Sequence, residues 1–265
     1  MALRHRTDSI AKYEEALSEV MDKIALSYED LNAIKEKVKA DVKAKFDAAS
    51  DKDNSRMLNS YVAKIPSGCE KGEYIVLDFG GRFFRVVYVR LNQANSANAD
   101  FAVAPTTCNG TKLGNDEAVF MESKIYPLRK NQTKGSEELF KLIAKSCADF
   151  CSRFRLEDDP VDIVLVNSFP CRHESINKAT LIRWNKGLHP SDGIGLDVSE
   201  LLQNAISEAG LPHKVVAIVN DTVACLFTGV SEEVNTKLGL IIGTGFNLSF
   251  LRTIEDATQV PVLLA

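Results

Sequence analysis

The chain has 265 residues, of which 45% are hydrophobic and 26% are charged, and its net charge at pH 7 is -4. This composition is that of a soluble globular protein of one large or two modest domains, and the charge gives no reason to expect nucleic acid as a partner. No apolar run is long enough for a membrane span and residues 1–7 lack the core of a signal peptide, so we expect a cytoplasmic protein.

The N-terminal part of the chain is predicted to be helical over residues 7–50. Apolar residues recur at three- and four-residue steps between Ile10 and Ile24, which is the period of an amphipathic helix. Ser27 is placed to cap a second helix. A polar connector at residues 51–56 and a turn at residues 66–68 then lead into a different pattern.

The pattern changes to that of strands separated by turns. Segments 74–79 and 84–91 are rich in Val, Ile, Tyr and Phe and flank Gly80-Gly81, so they predict a β-hairpin. The following predicted elements are a polar loop at 92–100, strands at 101–104 and 124–128, a helix from a Ser136 cap to about residue 155, and a buried strand at 162–169.

The last hundred residues continue the alternation of helices and strands. The predicted elements are a helix at 198–209 that ends at Gly210, a strand at 214–219, a helix at 222–228, and strands at 238–242 and 247–251. This order predicts an α/β fold with a mixed sheet, and a second sheet that begins after about residue 213.

The six cysteines are scattered and include no Cys-x-x-Cys pair. Cys147 and Cys151 share one face of a predicted helix, four residues apart. Because the chain has few histidines, we expect buried thiols in a reducing compartment rather than a zinc site.

Two glycine turns follow apolar strands and are candidates for binding phosphate. We call Gly80-Gly81 the first glycine turn and Gly243-Thr244-Gly245 the second glycine turn. Glycine lets backbone N–H groups approach a phosphate closely, and Asp78 beside the first turn could hold Mg²⁺ through water. Each turn taken singly is better explained as an ordinary turn, but the same pattern after two apolar strands makes phosphate binding an equal alternative; neither turn is a Walker A loop.

Several polar side chains stand at the ends of predicted strands and in loops. Ser168, Asn185, Lys186, Asn220 and Asp221 mix neutral donors and acceptors with two charges, which suits a polyhydroxylated ligand, and Asn247 is a further amide. Asp221 is a candidate base for a hydroxyl proton. Purely structural roles fit the same residues, because Asp221 could be a helix N-cap, Lys186 a surface residue, and the asparagines turn residues.

Long motifs in the chain resemble those of the eukaryotic hexokinase family, glucokinases included. The segments that carry the resemblance are Leu77-Asp78-Phe79-Gly80-Gly81, Ser168-Phe169-Pro170, Lys186-Gly187, Val219-Asn220-Asp221-Thr222-Val223 and Gly239 to Asn247. The resemblance covers about residues 15–252, nearly the whole chain.

The resemblance implies an actin-like ATPase (RNase H-like) fold of two lobes that close on sugar and ATP. It divides the chain into an N-terminal helical segment (1–72) that packs on the large lobe, a small lobe (73–213), and the start of the large lobe (214–265). The implied reaction is phosphorylation of the 6-hydroxyl of glucose or a related hexose by ATP with Mg²⁺, the first step of glycolysis.

The resemblance also implies roles for individual residues. Asp221 would be the catalytic base, and the side chains that would hold the hexose are Ser168, Asn185, Lys186, Asn220, Asp221 and Asn247. The residues that would bind the nucleotide phosphates are Gly80, Gly81, Arg82, Arg85, Gly243, Thr244 and Gly245. Asp78 matches the acidic residue near the metal.

The chain departs from the family pattern at three places. Arg82-Phe83 stands where the family has Thr-Asn, so Arg82 either grips phosphate or blocks the site, and a catalytically impaired sugar-binding relative is the alternative function. Asn185 replaces a threonine of the sugar loop. The chain stops at Ala265, before two glutamates and the adenosine-binding segment of the family.

Because of this early end, we expect an incomplete second lobe with an unpaired sheet edge, and therefore self-association or low stability. An actin-like ATPase that acts as an assembly or chaperone module is a third alternative.

Overall fold

A computed structural model of the chain describes residues 2–47, 58–62, 64, 70–91, 119–128, 134–233, 235–243 and 245–251. The chain divides into two compact units, Met1–Met57 and Leu58–Ala265, each of which is taken by itself below. The predicted connector at 51–56, the turn at 66–68, the loop at 92–100, the strand at 101–104 and Thr244 lie outside the described residues. No helix in the described part of the chain is both long enough and apolar enough to cross a membrane.

The first unit consists of two helices, α1 (Ala2–Ile24) and α2 (Tyr28–Asp47), so the helical prediction is confirmed. The predicted cap is also confirmed, because Ser27 Oγ accepts a hydrogen bond from the Asp30 backbone N at 3.0 Å. Asp30 Oδ2 accepts from the Ser27 backbone N at 3.0 Å in return. This reciprocal pair is a capping box that starts α2.

The second unit is built on a five-stranded mixed sheet with strand order β3-β2-β1-β4-β7. Its strands, in chain order, are β1 (Gly72–Phe79), β2 (Phe83–Leu91), β3 (Val119–Pro127), β4 (Asp162–Asn167) and β7 (Lys214–Asn220). The predicted β1–β2 hairpin is confirmed, and β3 pairs with β2 in the antiparallel sense. Strands β4 and β7 extend the sheet in parallel from β1.

The remaining elements of the second unit are three helices and two hairpins. They are α3 (Ser136–Phe154), β5 (Cys171–Ser175), β6 (Lys178–Leu181), α4 (Val198–Glu208), α5 (Asp221–Glu232), β8 (Leu238–Ile242) and β9 (Phe246–Phe250). The β5–β6 hairpin was not predicted. Helix α5 is longer than its predicted range and begins one residue earlier.

The expected start of the second sheet was wrong. Strand β7 pairs with β4 inside the first sheet, and the only described sheet that begins after β7 is the β8–β9 hairpin, which starts at Leu238. A parallel pair is joined through a crossover rather than a turn, so the partner of β7 cannot be identified from its own sequence. The division of the chain into two lobes stays a prediction.

The core lies between the sheet and the helices that cover it. Alternate residues of β1, namely Ile75, Leu77 and Phe79, are completely buried, as the two-residue period of a strand requires. Helices α3 and α4 pack against each other and add buried side chains such as Phe140 and Leu202 to the same core. Burial of apolar surface stabilises a fold by about 25 cal/mol per Å². This core therefore holds in place the sheet that positions the polar groups of the candidate site.

The start of α3 differs from the prediction at Ser136. Gly135 is the N-cap and makes no side-chain cap bond, while Ser136 is the first helical residue. The Ser136 backbone N donates instead to Asp192 Oδ1 at 2.6 Å. A carboxylate from a distant loop therefore satisfies the helix start, a contact that the local sequence does not reveal.

Candidate active site

The three parallel strands end at one edge of the sheet. Phe79 of β1 is in register with Asn167 of β4, and Asn167 is in register with Asn220 of β7. In open α/β sheets, ligands bind outside the carboxyl ends of the strands. The side chains of Asp78, Ser168 and Asp221 stand at or just beyond these ends.

The centre of this edge is an ion pair between Lys186 and Asp221. Lys186 Nζ lies 3.1 Å from Asp221 Oδ2, and the two side chains are only 19% and 13% exposed. Lys186 is therefore not an ordinary surface lysine. Asp221 is the first residue of α5 rather than its N-cap, and its other oxygen, Oδ1, accepts from the Thr222 backbone N at 2.9 Å.

The backbone of Lys186 is in the left-handed region, with φ of 54°. A residue with a side chain adopts this region rarely, at a cost of about 1–3 kcal/mol, and such residues cluster at functional sites. The residue with this backbone conformation is the one whose ammonium group contacts Asp221.

The N-terminus of α5 carries a second polar group, centred on the Asn220 side chain. Asn220 Oδ1 accepts hydrogen bonds from the Thr222 backbone N (3.1 Å), from Thr222 Oγ1 (2.6 Å) and from Asn247 Nδ2 (3.1 Å). Asn220 Nδ2 donates to the backbone O of Asn167 at 3.2 Å. Two of the predicted sugar-binding amides, Asn220 and Asn247, are thus joined directly.

Thr222 is a residue of the candidate site that its sequence position did not single out. It is 1% exposed, and its Oγ1 also accepts from Asn247 Nδ2 at 3.1 Å. Its backbone O accepts from Ser249 Oγ of β9 at 2.6 Å. Thr222 therefore ties α5 to the β8–β9 hairpin, and only the motif Asn220-Asp221-Thr222 pointed to this position.

The first glycine turn contacts the loop Asn185-Lys186-Gly187, which we call the sugar loop after its predicted role. Gly80 N donates to Phe83 O at 3.1 Å, which closes the turn between β1 and β2. A Cβ atom on Gly81 would overlap Lys186 Cβ and lie 3.1 Å from Lys186 O. Glycine at position 81 is therefore required by the close approach of this turn to Lys186.

Asp78 lies within the electrostatic reach of the other charges of the site. Burial raises the pKa of its carboxyl group above the ordinary value, while the positive charge of Arg85 lowers it. The negative charge of Asp221 also raises the pKa of Asp78, and the positive charge of Lys186 lowers it. The charges of Arg85, Asp221 and Lys186 therefore all act on Asp78. A buried carboxyl group with charged partners in a cleft is a candidate cation ligand.

The surroundings of Asp78 suit a magnesium–phosphate group. Arg85 Nε is buried and has no hydrogen-bond partner among the described residues, so this donor is left for an anion. No three His, Cys, Asp or Glu side chains in the described ranges group into a metal site. Mg²⁺ commonly uses one or two carboxylates and takes its other ligands from phosphates and water, and Asp78 fits that mode.

Arg82 and Phe83 occupy the exposed side of the first glycine turn. The Arg82 backbone O accepts from Leu128 N at 2.8 Å, its side chain is exposed, and Phe83 is 56% exposed. Both side chains are thus available to a ligand at this turn. Whether Arg82 grips phosphate or blocks it stays a prediction.

The second glycine turn is open. Gly243 N donates to Gly245 O at 2.9 Å, and a Cβ on either glycine would meet nothing within 4 Å. Thr244 is outside the described residues. The backbone of this turn is therefore accessible to a ligand, but no contact connects the described glycines to the first turn.

Two further predicted sugar-binding residues stand at the rim of the site. Ser168 is 9% exposed, and its backbone N donates to Phe79 O at 3.2 Å, which holds it beside the end of β1. Asn185 Oδ1 is buried and lacks a hydrogen-bond partner among the described residues. An unpaired buried acceptor costs about 1–3 kcal/mol, and a ligand hydroxyl would satisfy it.

Known proteins with similar sequences are hexokinases. The family profile described as Hexokinase matches residues 16–230, more than half of the chain. The hexokinase of Schistosoma mansoni is 34% identical over 218 residues, which cover 82% of this chain and 43% of that protein. Hexokinase-1 of Mus musculus is 34% identical over 207 residues, which cover 77% of this chain and 19% of that protein.

Solved structures give the same result. The structure of the Schistosoma mansoni hexokinase complexed with glucose matches with a TM-score of 0.76 and 30% identity, over 92% of this chain and 50% of that one. A second hexokinase crystal structure matches with a TM-score of 0.63 at 23% identity, which supports the fold alone.

The mixed sheet, the polar groups at its carboxyl edge and these matches define a protein of the actin-like ATPase fold class. Within that class, the chain belongs to the hexokinase family. It spans half or less of the length of these relatives.

Proposed function

We propose that this chain carries the sugar-binding and proton-accepting part of a hexokinase that phosphorylates the 6-hydroxyl of glucose or a related hexose with ATP. The observation that carries the proposal is the Lys186–Asp221 pair, with an Nζ–Oδ2 distance of 3.1 Å, at the carboxyl edge of the sheet. Asn220 and Asn247 adjoin it and present amide groups suited to sugar hydroxyls.

Asp221 is the general base of the proposed reaction. An ionised carboxylate has about four acceptor positions, so Asp221 can accept a sugar hydroxyl in addition to Lys186 and the Thr222 N–H. Lys186 fixes the direction of Oδ2 and supplies a donor to a neighbouring hydroxyl. Removing the hydroxyl proton at Oδ2 makes the sugar oxygen a better nucleophile.

The two glycine turns supply backbone N–H groups for the phosphates of ATP. Gly80, Gly81 and the guanidinium of Arg85 would hold them from the first turn, and Gly243 to Gly245 from the second turn. Gly80 N and Gly243 N, which donate to Phe83 O and Gly245 O, would exchange these bonds for phosphate oxygens. Asp78 would hold Mg²⁺ through water, and the ion when bound neutralises phosphate charge. The protein's contribution is positioning and electrostatics, as in phosphoryl transfer generally.

A second function is favoured by one observation at the first glycine turn. Arg82 and Phe83 are both exposed there, and a 56% exposed aromatic ring beside a phosphate site can exclude the nucleotide. The chain would then bind hexose without phosphorylating it.

The test is a coupled assay for glucose 6-phosphate together with calorimetric titration of glucose, on this chain and on any longer polypeptide that contains it. We expect sugar-dependent turnover that Asp221→Ala lowers by at least ~10². Asp159→Ala, an exposed aspartate of the α3–β4 loop, is the matched control and should have no effect.

The remaining outcomes separate the alternatives. Glucose binding without turnover supports the second function. ATP hydrolysis that is indifferent to glucose supports the ATPase alternative, and absence of both binding and turnover from every form rejects a sugar site at Asp221.

We further propose that the chain associates with a second copy through the β8–β9 hairpin. Four large apolar side chains of this hairpin, Leu238, Leu240, Ile242 and Phe246, are between 42% and 77% exposed. Contiguous exposed apolar surface of this kind favours association. Sedimentation should therefore show a concentration-dependent dimer, and a monomer at all concentrations would contradict the proposal.

A further inference from the structure

Two buried thiols of helix α3 form a cluster with the imidazole of His213, which precedes β7, and the proposed function does not use this cluster. Cys147 and Cys151 are completely buried and His213 is 2% exposed. Cys147 Sγ lies 4.0 Å from Cys151 Sγ, and Cys151 Sγ lies 3.4 Å from His213 Nε2. Three chemically reactive groups are thus in contact inside an otherwise apolar core.

The hydrogen bonds of His213 determine which of its two ring nitrogens carries the proton. His213 Nδ1 accepts from the Val161 backbone N at 3.1 Å, so Nδ1 carries no hydrogen. The proton of the neutral ring is therefore on Nε2, which donates to Cys151 Sγ. This donor favours the thiolate of Cys151 over its thiol.

The two thiols are not equivalent. The hydrogen bond from Cys147, and then that from His213, lower the pKa of Cys151 to about 6, against the opposing effects of burial and of the Glu157 carboxylate. The same sulfur–sulfur contact raises the pKa of Cys147 well above its ordinary value. The contact of His213 Nε2 with Cys151 Sγ distinguishes the two thiols and makes Cys151 the one that ionises more readily, with Cys147 as its partner.

The helix geometry permits the two residues to be joined. Residues four apart in an α-helix have Cα atoms about 6.2 Å apart, as follows from the rise and radius of the helix. Disulfides span Cα distances of roughly 4.4–6.8 Å, which this pair meets, but their Cβ atoms lie about 3.5–4.5 Å apart. Cβ atoms four residues apart on a helix are about 5–6 Å apart, so closing the disulfide requires this turn of α3 to tighten as well as side-chain rotation.

The short loop between α3 and β4 is hydrogen-bonded to two residues of the cluster. Leu156 N donates to Cys151 O at 2.9 Å at the start of this loop, and Val161 N donates to His213 at its end. Arg155, Asp158, Asp159 and Pro160 of the loop are exposed. Opening these few residues would expose Cys151 to a molecule as small as hydrogen peroxide without unfolding the sheet.

We propose that Cys147 and Cys151 form an oxidation site for hydrogen peroxide, in which Cys151 reacts first and Cys147 then closes a disulfide within α3. In the first step the Cys151 thiolate attacks one peroxide oxygen, the O–O bond breaks, and sulfenic acid and hydroxide form. In the second step Cys147 attacks the Cys151 sulfur, the S–O bond breaks, and the Cys147 proton leaves with the oxygen as water. In sum, two thiols lose two hydrogens and one peroxide becomes two water molecules.

The site is independent of the proposed sugar chemistry. His213 precedes the amino end of β7, whereas Asp221 follows its carboxyl end, and seven strand residues separate the ends by about 23 Å. Failure of the oxidation test would therefore leave the hexokinase proposal intact, and the reverse also holds.

The experiment treats the folded chain with hydrogen peroxide, alkylates the remaining thiols in denaturant, digests with trypsin and analyses the peptides by mass spectrometry. Cleavage after Lys145 and Arg153 places both cysteines in one peptide, residues 146–153. We expect this peptide to lose two hydrogens and both alkylation sites. Cys171 is an internal comparison, because it is also buried but its pKa is raised to about 12, chiefly by burial.

The pair should be oxidised at least ~10-fold faster than Cys171 in the same sample. With Cys147→Ala, dimedone should capture a sulfenic acid at Cys151, and with Cys151→Ala, Cys147 should stay reduced. Cys225→Ser, which changes an exposed cysteine, is the control and should leave the rate at residues 146–153 unchanged.

The wild-type chain alone can overturn the proposal, whether or not the variants fold. If peptide 146–153 stays doubly alkylated, or reacts no faster than the Cys171 peptide, the cluster is an inert part of the core.

Discussion

The two glycine turns have similar sequences but different structural roles. At the first turn, a side chain on Gly81 would overlap Lys186, so the glycine is needed to bring the turn against the sugar loop. At the second turn, a Cβ on Gly243 or Gly245 would meet nothing within 4 Å. The same residue type therefore serves internal packing in one turn and leaves an open backbone in the other.

The two turns are also held in place by different groups. The first adjoins Lys186 and the charges of Asp78 and Arg85, whereas the second is tied to the rest of the site through Asn247 and Thr222. Substitutions can therefore affect one turn and spare the other.

The largest effect is expected from Gly81→Ala. The new methyl group would overlap Lys186 Cβ, which belongs to the rigid base of that side chain, so the loop must move. We expect the free energy of unfolding to fall by about 1–3 kcal/mol, the usual range for overpacking. Urea unfolding measures this change, and a loss no greater than that of Gly243→Ala would remove the difference between the turns.

The next largest effect is expected from Thr222→Val. Valine keeps the shape but loses the hydroxyl that bonds to Asn220 and Asn247, which should cost about 1–2 kcal/mol. Amide hydrogen exchange should become faster in β8–β9 and stay unchanged in β1–β2. Thr222→Ser, which keeps the hydroxyl, is the control, and equal exchange in both hairpins would show that Thr222 does not hold the second turn.

A pH-dependent effect is expected from Asp78→Asn. Because burial raises the pKa of Asp78 above its ordinary 3.8 in the folded state, its contribution to stability is fully present below that value and is lost as the pH rises through the raised pKa. The variant has no such loss, so it should become more stable than the wild type as the pH rises.

Urea unfolding from acidic to neutral pH tests the effect of Asp78→Asn. The two proteins should differ least at the acidic end of the series. A wild type that becomes the more stable of the two at neutral pH would mean that Arg85 and Lys186 outweigh burial.

The smallest effect is expected from Gly243→Ala. Its methyl group would point into open space, so the free energy of unfolding should change by less than about 0.5 kcal/mol, although affinity for a nucleotide phosphate should fall if the backbone binds it. Calorimetric titration of Mg·ATP measures the affinity. A large loss of stability without ligand would show that this turn, too, is packed against something.

The local sequence was sufficient where a residue's structure depends on its neighbours in the chain. The β1–β2 hairpin and the Ser27 cap follow from alternation and from a short capping motif, and both are confirmed. The β5–β6 hairpin was missed because Cys171–Ser175 is mostly polar and has no run of β-branched residues. The Ser136 cap was wrong because Asp192, 56 residues away, takes the bond.

The candidate site shows the same limit. The sequence motifs pointed to Lys186, Asp221 and Asn247, but their closeness comes from the pairing of β4 with β7 and from the left-handed backbone of Lys186. Thr222 was missed because its role lies in contacts with Asn247 and Ser249, which are more than twenty residues away. Such contacts depend on the tertiary structure, and no spacing rule in one sequence reveals them.

The three hydrogen bonds to Asn220 Oδ1 give this amide a fixed polarity. A rotation of the amide by half a turn would set its NH₂ group against the Thr222 N–H, which cannot reverse its own proton. Asn220 can therefore offer a bound molecule only the remaining hydrogen of Nδ2, never an oxygen. Any ligand at this position must present a lone pair there, so a sugar bound as we propose would meet a donor whose direction is fixed before binding.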